Sequence, residues 1–128
     1  MSSKPKVASL FSGCGGMDAG FKQAGYELVW ANDFDLSACQ TYAENFGSHI
    51  VHGDITKIDL KQIPEIDVMI GGFPCQDYSV AKTLNSSKGL KGKKGVLWWE
   101  ILRLVNGQKP KFIFLENVDR LLKSPSNQ

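Results

Sequence analysis

Short apolar runs alternate along the chain with longer segments of mixed polarity. The first run, at residues 7–11, is followed by Ser-Gly-Cys-Gly-Gly, which predicts a buried strand and then a tight turn. Four further apolar runs predict strands at residues 27–31, 50–51, 66–70 and 112–115. Short buried strands separated by longer mixed segments are typical of an α/β fold with a mostly parallel sheet.

The segments between these runs carry a helical period. Residues 17–23 predict a first helix, and residues 36–45 together with Phe46 predict a second helix, because their apolar and small side chains recur at helical spacing. A third helix is predicted at residues 96–105. Residues 73–95 show no clear period and are rich in glycine, serine and lysine, so they predict a long loop of the kind that often carries function.

Composition fits one domain. A chain of 128 residues with 42% hydrophobic content can bury one modest core, and its formal charge of +2 does not by itself indicate a nucleic-acid partner. No apolar run approaches the roughly 20 residues that span a bilayer. The first residues, Met-Ser-Ser-Lys-Pro-Lys, also lack the apolar stretch of a signal peptide. We therefore expect a soluble, cytoplasmic protein with no membrane contact.

The cysteines and histidines exclude some site types. Cys14, Cys39 and Cys75 are odd in number and form no Cys-x-x-Cys pair, so neither a disulfide framework nor a redox dithiol is predicted. His49 and His52 lie three residues apart without other ligand types nearby in the sequence. A metal site needs a fuller ligand set, so none is predicted.

A glycine-rich turn joins the first predicted strand to the first helix. At residues 12–16, backbone N–H groups at a helix N-terminus could approach a ligand closely, although the spacing is not G-x-G-x-x-G and a purely structural turn is equally compatible. Asp33 follows about 20 residues later, after the second strand, where a carboxylate can accept hydrogen bonds from ribose hydroxyls. The combination favours a nucleotide-like ligand.

Three further residues follow strands at the same predicted edge. Phe34 could cover an adenine face, and Asp54 with Ile55 could meet its amino edge and its ring. Carboxyl ends of parallel strands share one edge of the sheet, and ligands bind there in open α/β folds. Ordinary alternatives remain: Asp33 or Asp35 caps the next helix, Asp54 caps a turn, and Phe34 and Ile55 belong to the core.

Cys75 directly follows the fourth predicted strand at this edge. Pro74 restricts the backbone before it and limits how the thiol is presented. Glu116 ends the fifth strand, next to the fourth if sequential strands are neighbours, so its carboxyl group could reach a substrate attacked by Cys75. A buried, inert thiol and a solvated carboxylate are the alternatives for these two residues.

The candidate nucleophile does not fit a thiol hydrolase well. Such enzymes need a histidine to deprotonate the cysteine, and neither His49 nor His52 lies on a loop that obviously faces Cys75. A thiolate that adds to an electron-poor ring, helped by a carboxylic acid on a ring nitrogen, needs no such histidine.

The predicted loop after Cys75 is cationic. Residues 82–94 contain five lysines and no acidic residue; these are Lys82, Lys88, Lys91, Lys93 and Lys94. The lysines could contact phosphates beside the nucleophile, which would give salt-dependent affinity without sequence choice. A solvated flexible loop is the alternative.

The ordered set of motifs resembles the DNA (cytosine-5)-methyltransferase family. Six blocks occur in family order: Phe11-Ser12-Gly13-Cys14-Gly15-Gly16, Asp33-Phe34, Gly53-Asp54-Ile55, Gly72-Phe73-Pro74-Cys75-Gln76, Gly95 before a helix, and Glu116-Asn117-Val118. They span nearly the whole chain, and Pro-Cys-Gln combined with Glu-Asn-Val is specific. The resemblance implies a Rossmann-like, S-adenosylmethionine-dependent methyltransferase fold.

The resemblance also implies a cofactor site. S-adenosylmethionine would lie across the first loop, with Asp33 at the ribose and three residues around the adenine. The implied cofactor-binding residues are Phe11, Ser12, Gly13, Gly15, Gly16, Met17, Asp33, Phe34, Asp54, Ile55 and Pro74.

The catalytic residues implied by the resemblance are Cys75 and Glu116. The substrate would be double-stranded DNA with a flipped cytosine. Cys75 would add to C6 while Glu116 protonates N3, and C5 would then take the methyl group. Asn117 would position Pro74, and Gln76 with the lysine loop would close on the DNA.

Two departures from the family pattern stand out. Lys94 precedes Gly95 where the family often has an arginine, and lysine lacks the arginine fork. The chain also stops soon after Val118, so it corresponds to the N-terminal part of a catalytic domain, without a target-recognition domain. We therefore expect little activity from residues 1–128 alone, and expect a complementing C-terminal part or self-association through the edge strand. The alternative is a non-catalytic fragment or decoy subunit that binds S-adenosylmethionine or DNA. A bacterial or phage restriction-modification setting is the family-level expectation.

Overall fold

A computed structural model describes residues 4–72 and 96–116. Its five strands are β1 (Lys6–Leu10), β2 (Glu27–Asp33), β3 (Ile50–His52), β4 (Val68–Gly71) and β5 (Phe112–Leu115). The helices are α1 (Gly16–Gln23), α2 (Leu36–Phe46) and α3 (Val96–Gln108), with short 3₁₀ turns at Ile55–Lys57 and Leu60–Gln62. The loop predicted at residues 73–95 and the segment 117–128 lie outside the described residues.

The five strands form one parallel sheet in the order β3-β2-β1-β4-β5. The predicted fold class, an α/β fold with a parallel sheet, is confirmed. From β1 the chain runs outward through β2 to β3, and it then returns to the other side of β1 for β4 and β5. The order therefore reverses between β1 and β4, and in open α/β sheets such a switch point is where ligands bind.

Apolar side chains cover both faces of the sheet. On one face, Ile101 and Leu104 of α3 join buried residues of β1, β2, β4 and the 3₁₀ segment in a core cluster. On the other face, a smaller cluster of Val7, Val68 and Ile70 packs against α1 and the start of β2. Helices on both faces account for the mostly apolar character of the central strands.

Some element boundaries differ from the sequence prediction. Strand β2 continues two residues further than predicted, to Asp33, and α3 continues to Gln108. Strand β4 begins at Val68 rather than at residue 66. Asp67 explains the later start, because its carboxylate accepts a hydrogen bond from the Lys6 N–H at 2.9 Å. A polar residue at the strand entry thus ties β4 to β1.

Among residues 4–72 and 96–116, no helix has both the length and the apolar character needed to cross a membrane.

Candidate active site

The loop between β1 and α1 has an unusual backbone. Phe11, Gly13 and Gly15 all have positive φ, at 51°, 59° and 97°. Glycine adopts this conformation at little cost, whereas Phe11 is strained there, and such strain often accompanies a functional turn. The Ser12 N–H and hydroxyl both donate to the carbonyl of Asn32, at 3.1 and 3.3 Å. The loop is therefore fixed against the end of β2.

Asp33 holds the same loop through its side chain. Its Oδ2 accepts a hydrogen bond from the Gly13 N–H at 2.8 Å, and its Oδ1 accepts one from the Asp35 N–H at 2.9 Å. The cap of α2 is Asp35, whose carboxylate accepts from the Ala38 N–H. Each carboxylate oxygen can accept a second hydrogen bond, so Asp33 keeps capacity for a ligand hydroxyl.

Asn32 is a buried polar residue that sequence reasoning missed. Its side-chain N–H groups donate to the carbonyls of Val51 and Gly53, at 2.8 and 3.1 Å, while its own carbonyl accepts from Ser12. It therefore links the loops after β1, β2 and β3. The available signal was the alternation of β2, which places Asn32 on the same side as the buried Trp30.

The residues predicted around an adenine occupy distinct environments. Phe34 is 74% exposed, so the alternative that it is a core residue is wrong. Ile55 is buried in the main core cluster, as its alternative predicted. The Asp54 carboxylate accepts hydrogen bonds from the N–H and hydroxyl of Thr56, at 2.9 and 2.8 Å, so it does cap the 3₁₀ turn.

Arg103 of α3 supports this 3₁₀ segment from below. Its guanidinium donates to the carbonyls of Ile55 and Ile58, at 3.1 and 3.2 Å, and its Nε pairs with Glu100 at 2.7 Å. No pattern in the sequence predicted that the guanidinium reaches carbonyl groups 45 and 48 residues earlier in the chain.

Glu116 lies on the other side of the switch point. Its N–H donates to the carbonyl of Gly71 at 2.8 Å, which places it beside the end of β4 as predicted. A Cβ built at Gly72 would lie 3.1 Å from Glu116 Oε1 and 3.7 Å from Met17 Cε. The acid, the first turn of α1 and the start of the segment that leads to Cys75 therefore meet at one point.

Pro74, Cys75, Gln76 and the lysines of residues 82–94 lie outside the described residues, so their roles stay predictions. Of the two other cysteines, Cys14 is exposed and Cys39 is buried. Burial raises the pKa of the Cys39 thiol, and the nearby Asp33 carboxylate raises it further. Cys39 is therefore a protonated, packed thiol without nucleophilic character.

A buried polar network lies directly beneath the glycine-rich loop. Asp18, in the first turn of α1, has no exposed surface; its Oδ1 accepts from the Ser9 hydroxyl at 2.8 Å, and its Oδ2 accepts from the Tyr42 hydroxyl at 2.6 Å. The Tyr42 oxygen lies 2.9 Å from His49 Nε2. The sequence analysis considered His49 only as a metal ligand, and it did not find this network because hydrogen bonds between residues 7 and 24 positions apart have no local signature.

The chain is similar to known DNA methyltransferases. A family model for C-5 cytosine-specific DNA methylases matches residues 5–128. The Type II methyltransferase M.NgoFVII of Neisseria gonorrhoeae is 51% identical over 123 residues, which cover 94% of this chain and 32% of the relative. M.Sau3AI of Staphylococcus aureus is 44% identical over 136 residues, covering 98% and 33%. A crystal structure of a candidate DNA modification methyltransferase encoded in an E. coli prophage has 32% identity and a TM-score of 0.73, covering 90% of this chain and 32% of that one.

The chain spans about a third of the length of the curated relatives that it matches. The residues that the family model matches include the loop after β1, Asp33 and Glu116. The parallel sheet agrees with that of the solved relative. The chain belongs to the C-5 cytosine-specific DNA methylase family.

Proposed function

We propose that this chain forms the cofactor-binding and nucleophile-bearing part of a DNA (cytosine-5)-methyltransferase. The observation that carries the proposal is the meeting of Met17, Gly72 and Glu116 at the switch point. The candidate cofactor loop and the candidate acid converge there, and Cys75 follows three residues after Gly72. Family membership and the specific Pro-Cys-Gln and Glu-Asn-Val motifs support the same reaction.

The described residues fit S-adenosylmethionine. The first loop has positive-φ glycines at its turns and lies before the N-terminus of α1, which permits close backbone approach to a ligand. Asp33 has lone pairs for ribose hydroxyls, and the exposed Phe34 ring is available to cover a flat adenine. When bound, S-adenosylmethionine supplies an electrophilic methyl group on a sulfonium.

The chain's own residues would carry the remaining chemistry. Cys75, as a thiolate, forms a bond to C6 of cytosine while Glu116 donates a proton to N3, which makes C5 a carbon nucleophile. After methyl transfer to C5, a base takes the C5 proton. The Sγ–C6 bond then breaks, N3 returns its proton, and the thiolate is regenerated.

The substrate proposed is double-stranded DNA with the target cytosine turned out of the helix, because Cys75 cannot reach C6 inside a stacked duplex. The lysines of residues 82–94 would neutralise phosphates around the vacated base. The Type II names of the relatives favour a restriction-modification role in the bacterial cytoplasm.

Efficient methylation would need a further part of the family architecture. In the described part of the chain β5 pairs only with β4, and Phe112, Ile113 and Phe114 are 68%, 46% and 52% exposed. An uncovered apolar edge strand of this kind invites a partner segment. We propose that a C-terminal part, in the same polypeptide or in a separate subunit, covers this edge and supplies target recognition; self-association through β5 is the alternative.

A trapping experiment tests the reaction. DNA containing 5-fluorocytosine is incubated with S-adenosylmethionine and the chain, alone and with a complementing C-terminal part from a relative. Because fluorine at C5 blocks elimination, the complemented protein should form a covalent adduct that survives denaturing electrophoresis. Cys75→Ser should form none, whereas Cys14→Ser, a matched change at another cysteine, should behave as wild type. An undiminished adduct in Cys75→Ser would overturn the nucleophile assignment.

The same experiment separates catalysis from the second candidate function, a non-catalytic module that binds S-adenosylmethionine or DNA. Such a module would bind S-adenosylmethionine normally but form no adduct even when complemented. Retention of both Cys75 and Glu116 favours the enzyme, since a decoy has no physical need for either group.

Cofactor binding is tested at Asp33. Asp33→Ala should weaken S-adenosylmethionine binding by about 1–3 kcal/mol, because it would leave ribose hydroxyls and the Gly13 N–H without an acceptor. The matched control is Asp35→Ala, which removes only the α2 cap. Equal affinities of the two variants by calorimetry would mean that Asp33 has no ligand role.

A further inference from the structure

Four buried or half-buried polar side chains form one continuous hydrogen-bond chain. It runs from Ser9 in β1 through Asp18 in α1 and Tyr42 in α2 to His49, just before β3. Because the Tyr42 hydroxyl donates its only proton to Asp18, the Tyr42 oxygen must accept from His49. The geometry therefore assigns a proton to His49 Nε2 and leaves the Asp18 carboxylate as the common acceptor.

This hydrogen-bond chain joins β1, α1 and α2, and its central residues are inaccessible to water. Asp18 and Tyr42 have no exposed surface, while His49 is half-buried and lines a surface cavity of about 310 Å³ with Lys22 and Phe46. Burial raises the pKa of the Asp18 carboxyl, although hydrogen bonds from Tyr42 and Ser9 oppose that rise. A buried carboxylate with two donors is expensive to break, since each lost donor leaves a desolvated charge.

The hydrogen-bond chain lies against the loop proposed to bind the cofactor. Asp18 directly follows Met17, whose methyl group reaches the switch point. One turn beyond Tyr42, the Phe46 ring fills the space beside Gly15, where an added Cβ would overlap it. Helix α2 therefore contacts the loop and the first turn of α1 at two places, a ring contact at Gly15 and a hydrogen bond at Asp18.

We propose that Asp18 and Tyr42 are positioning residues for S-adenosylmethionine: their hydrogen bond sets the first turn of α1, and with it Met17 and the preceding loop, in the binding geometry. The inference rests on the proposed function of the loop. Neither residue touches the ligand, so the effect is transmitted through the backbone of α1.

The state of Asp18 gives the proposal a signature that a structural role lacks. When Asp18 is protonated, the Tyr42 hydroxyl donates to a neutral carboxyl group instead of a carboxylate, so the charge-assisted hydrogen bond between α2 and α1 is weakened. The other titratable or charged groups around it are Tyr42, His49 and Lys22. Affinity for S-adenosylmethionine should therefore fall as the pH drops through the raised pKa of Asp18.

The test measures S-adenosylmethionine affinity by calorimetry across the acidic and neutral range for the full chain. Tyr42→Phe keeps the ring contacts with Phe46 and His49 but removes the hydroxyl. We expect binding about threefold to tenfold weaker at neutral pH. The acid-side fall in affinity should also become smaller, because the hydrogen bond that protonation of Asp18 weakens is already absent in this variant.

Two further variants make the result specific. Tyr26→Phe removes a tyrosine hydroxyl on the same face, where the ring packs on Phe21, and should leave affinity and pH profile unchanged. His49→Gln keeps an N–H donor for Tyr42 and should retain the wild-type acid-side fall. Circular dichroism with thermal unfolding checks that each variant is folded at the binding temperature.

The possible outcomes distinguish a failure of the proposed function from a failure of the positioning role of Asp18 and Tyr42. A wild-type chain that binds no S-adenosylmethionine at any pH contradicts the proposed function and this inference together. Normal wild-type binding with Tyr42→Phe indistinguishable from Tyr26→Phe contradicts this inference alone. An acid-side fall that disappears in His49→Gln also contradicts it, because His49 and not Asp18 would then control the loop.

Discussion

The two sides of the switch point differ in how far the described residues hydrogen-bond to one another and cover their own apolar surface. On the side of β2 and β3, Asn32 and Asp33 connect the loops after β1, β2 and β3 through hydrogen bonds, and Asp18 connects α1 to α2. On the side of β4 and β5, the strand pairing is regular, but β5 leaves large apolar side chains exposed on both faces. Among the described residues, one side is held together by side-chain hydrogen bonds and the other has an exposed apolar edge strand.

This difference indicates that cofactor binding and catalysis depend on different parts of the chain. The proposed cofactor half depends on hydrogen bonds among residues 9–58 and on the support that Arg103 gives to the 3₁₀ segment. The proposed catalytic half combines Glu116 with Cys75 and an uncovered edge. We therefore expect mutations in the first half to change stability and cofactor affinity, and mutations at β5 to change association.

The largest effect is expected at Gly15. Gly15→Ala should lower the free energy of unfolding by about 2–4 kcal/mol, because its φ of 97° is unfavourable for alanine and the added Cβ would overlap Phe46. Urea denaturation followed by circular dichroism measures the change.

Gly20→Ala is the matched control in the same segment. Gly20 lies inside α1 with no atom within 4 Å of an added Cβ, so alanine should stabilise the protein by about 0.5–1 kcal/mol. If both variants were equally stable, the close packing of α2 on the loop would be wrong.

The second effect tests the support beneath the proposed adenine end. Arg103→Met keeps much of the stem but removes the donors to the carbonyls of Ile55 and Ile58, and should cost about 1–3 kcal/mol. Lys111→Met is the control, because its ammonium is exposed and lies 3.7 Å from Asp67. That change should cost less than about 0.5 kcal/mol. A smaller loss of stability in Arg103→Met than in Lys111→Met would mean that the hydrogen bonds of Arg103 do not stabilise the 3₁₀ segment.

Much of the scaffold could be predicted from the sequence, because its signals are local. In the part of the chain that the structure describes, the apolar runs predicted the five strands and helical spacing predicted the three helices, with boundaries wrong by a few residues. Positions after strands placed Asp33, Phe34 and Glu116 at one edge, since parallel strands end on the same side. The family motifs strengthened that interpretation.

The contacts that fix the site could not be predicted in this way. Asn32, Asp18 and Arg103 act through partners 19 to 48 residues away, and the choice of partner depends on which helix packs on which face. Sequence patterns show that a polar residue stands at an apolar position, as with Asn32, but they do not show its partner. The site roles assigned to Cys75 and Pro74 stay predictions.

The third effect concerns the exposed edge. Ile113→Lys should leave the free energy of unfolding within about 0.5 kcal/mol, because the side chain is 46% exposed, but should reduce association, since a charge on an edge strand opposes pairing. Sedimentation velocity over a range of concentrations measures association of the chain, and pull-down measures binding of a complementing C-terminal part. Unchanged binding in both assays would exclude β5 as the interface.

The smallest effect is a change in pH dependence at His49. Burial lowers the pKa of His49 from its usual 6.5, so the folded state favours the neutral ring. Its contribution to stability is present above about pH 6.5 and is lost as the pH falls toward the lowered folded value. The raised pKa of Asp18 acts in the opposite sense, because its contribution is greatest below 3.8 and is lost as the pH rises through the folded value. Asp18 is present in both proteins, so a comparison of wild type with His49→Gln measures the histidine together with the small effect of its charge on Asp18. Urea denaturation at about pH 7.5 and about pH 5.5 should show a smaller loss of stability on acidification in His49→Gln. An equal loss of stability in both proteins would mean that burial does not hold His49 in its neutral form.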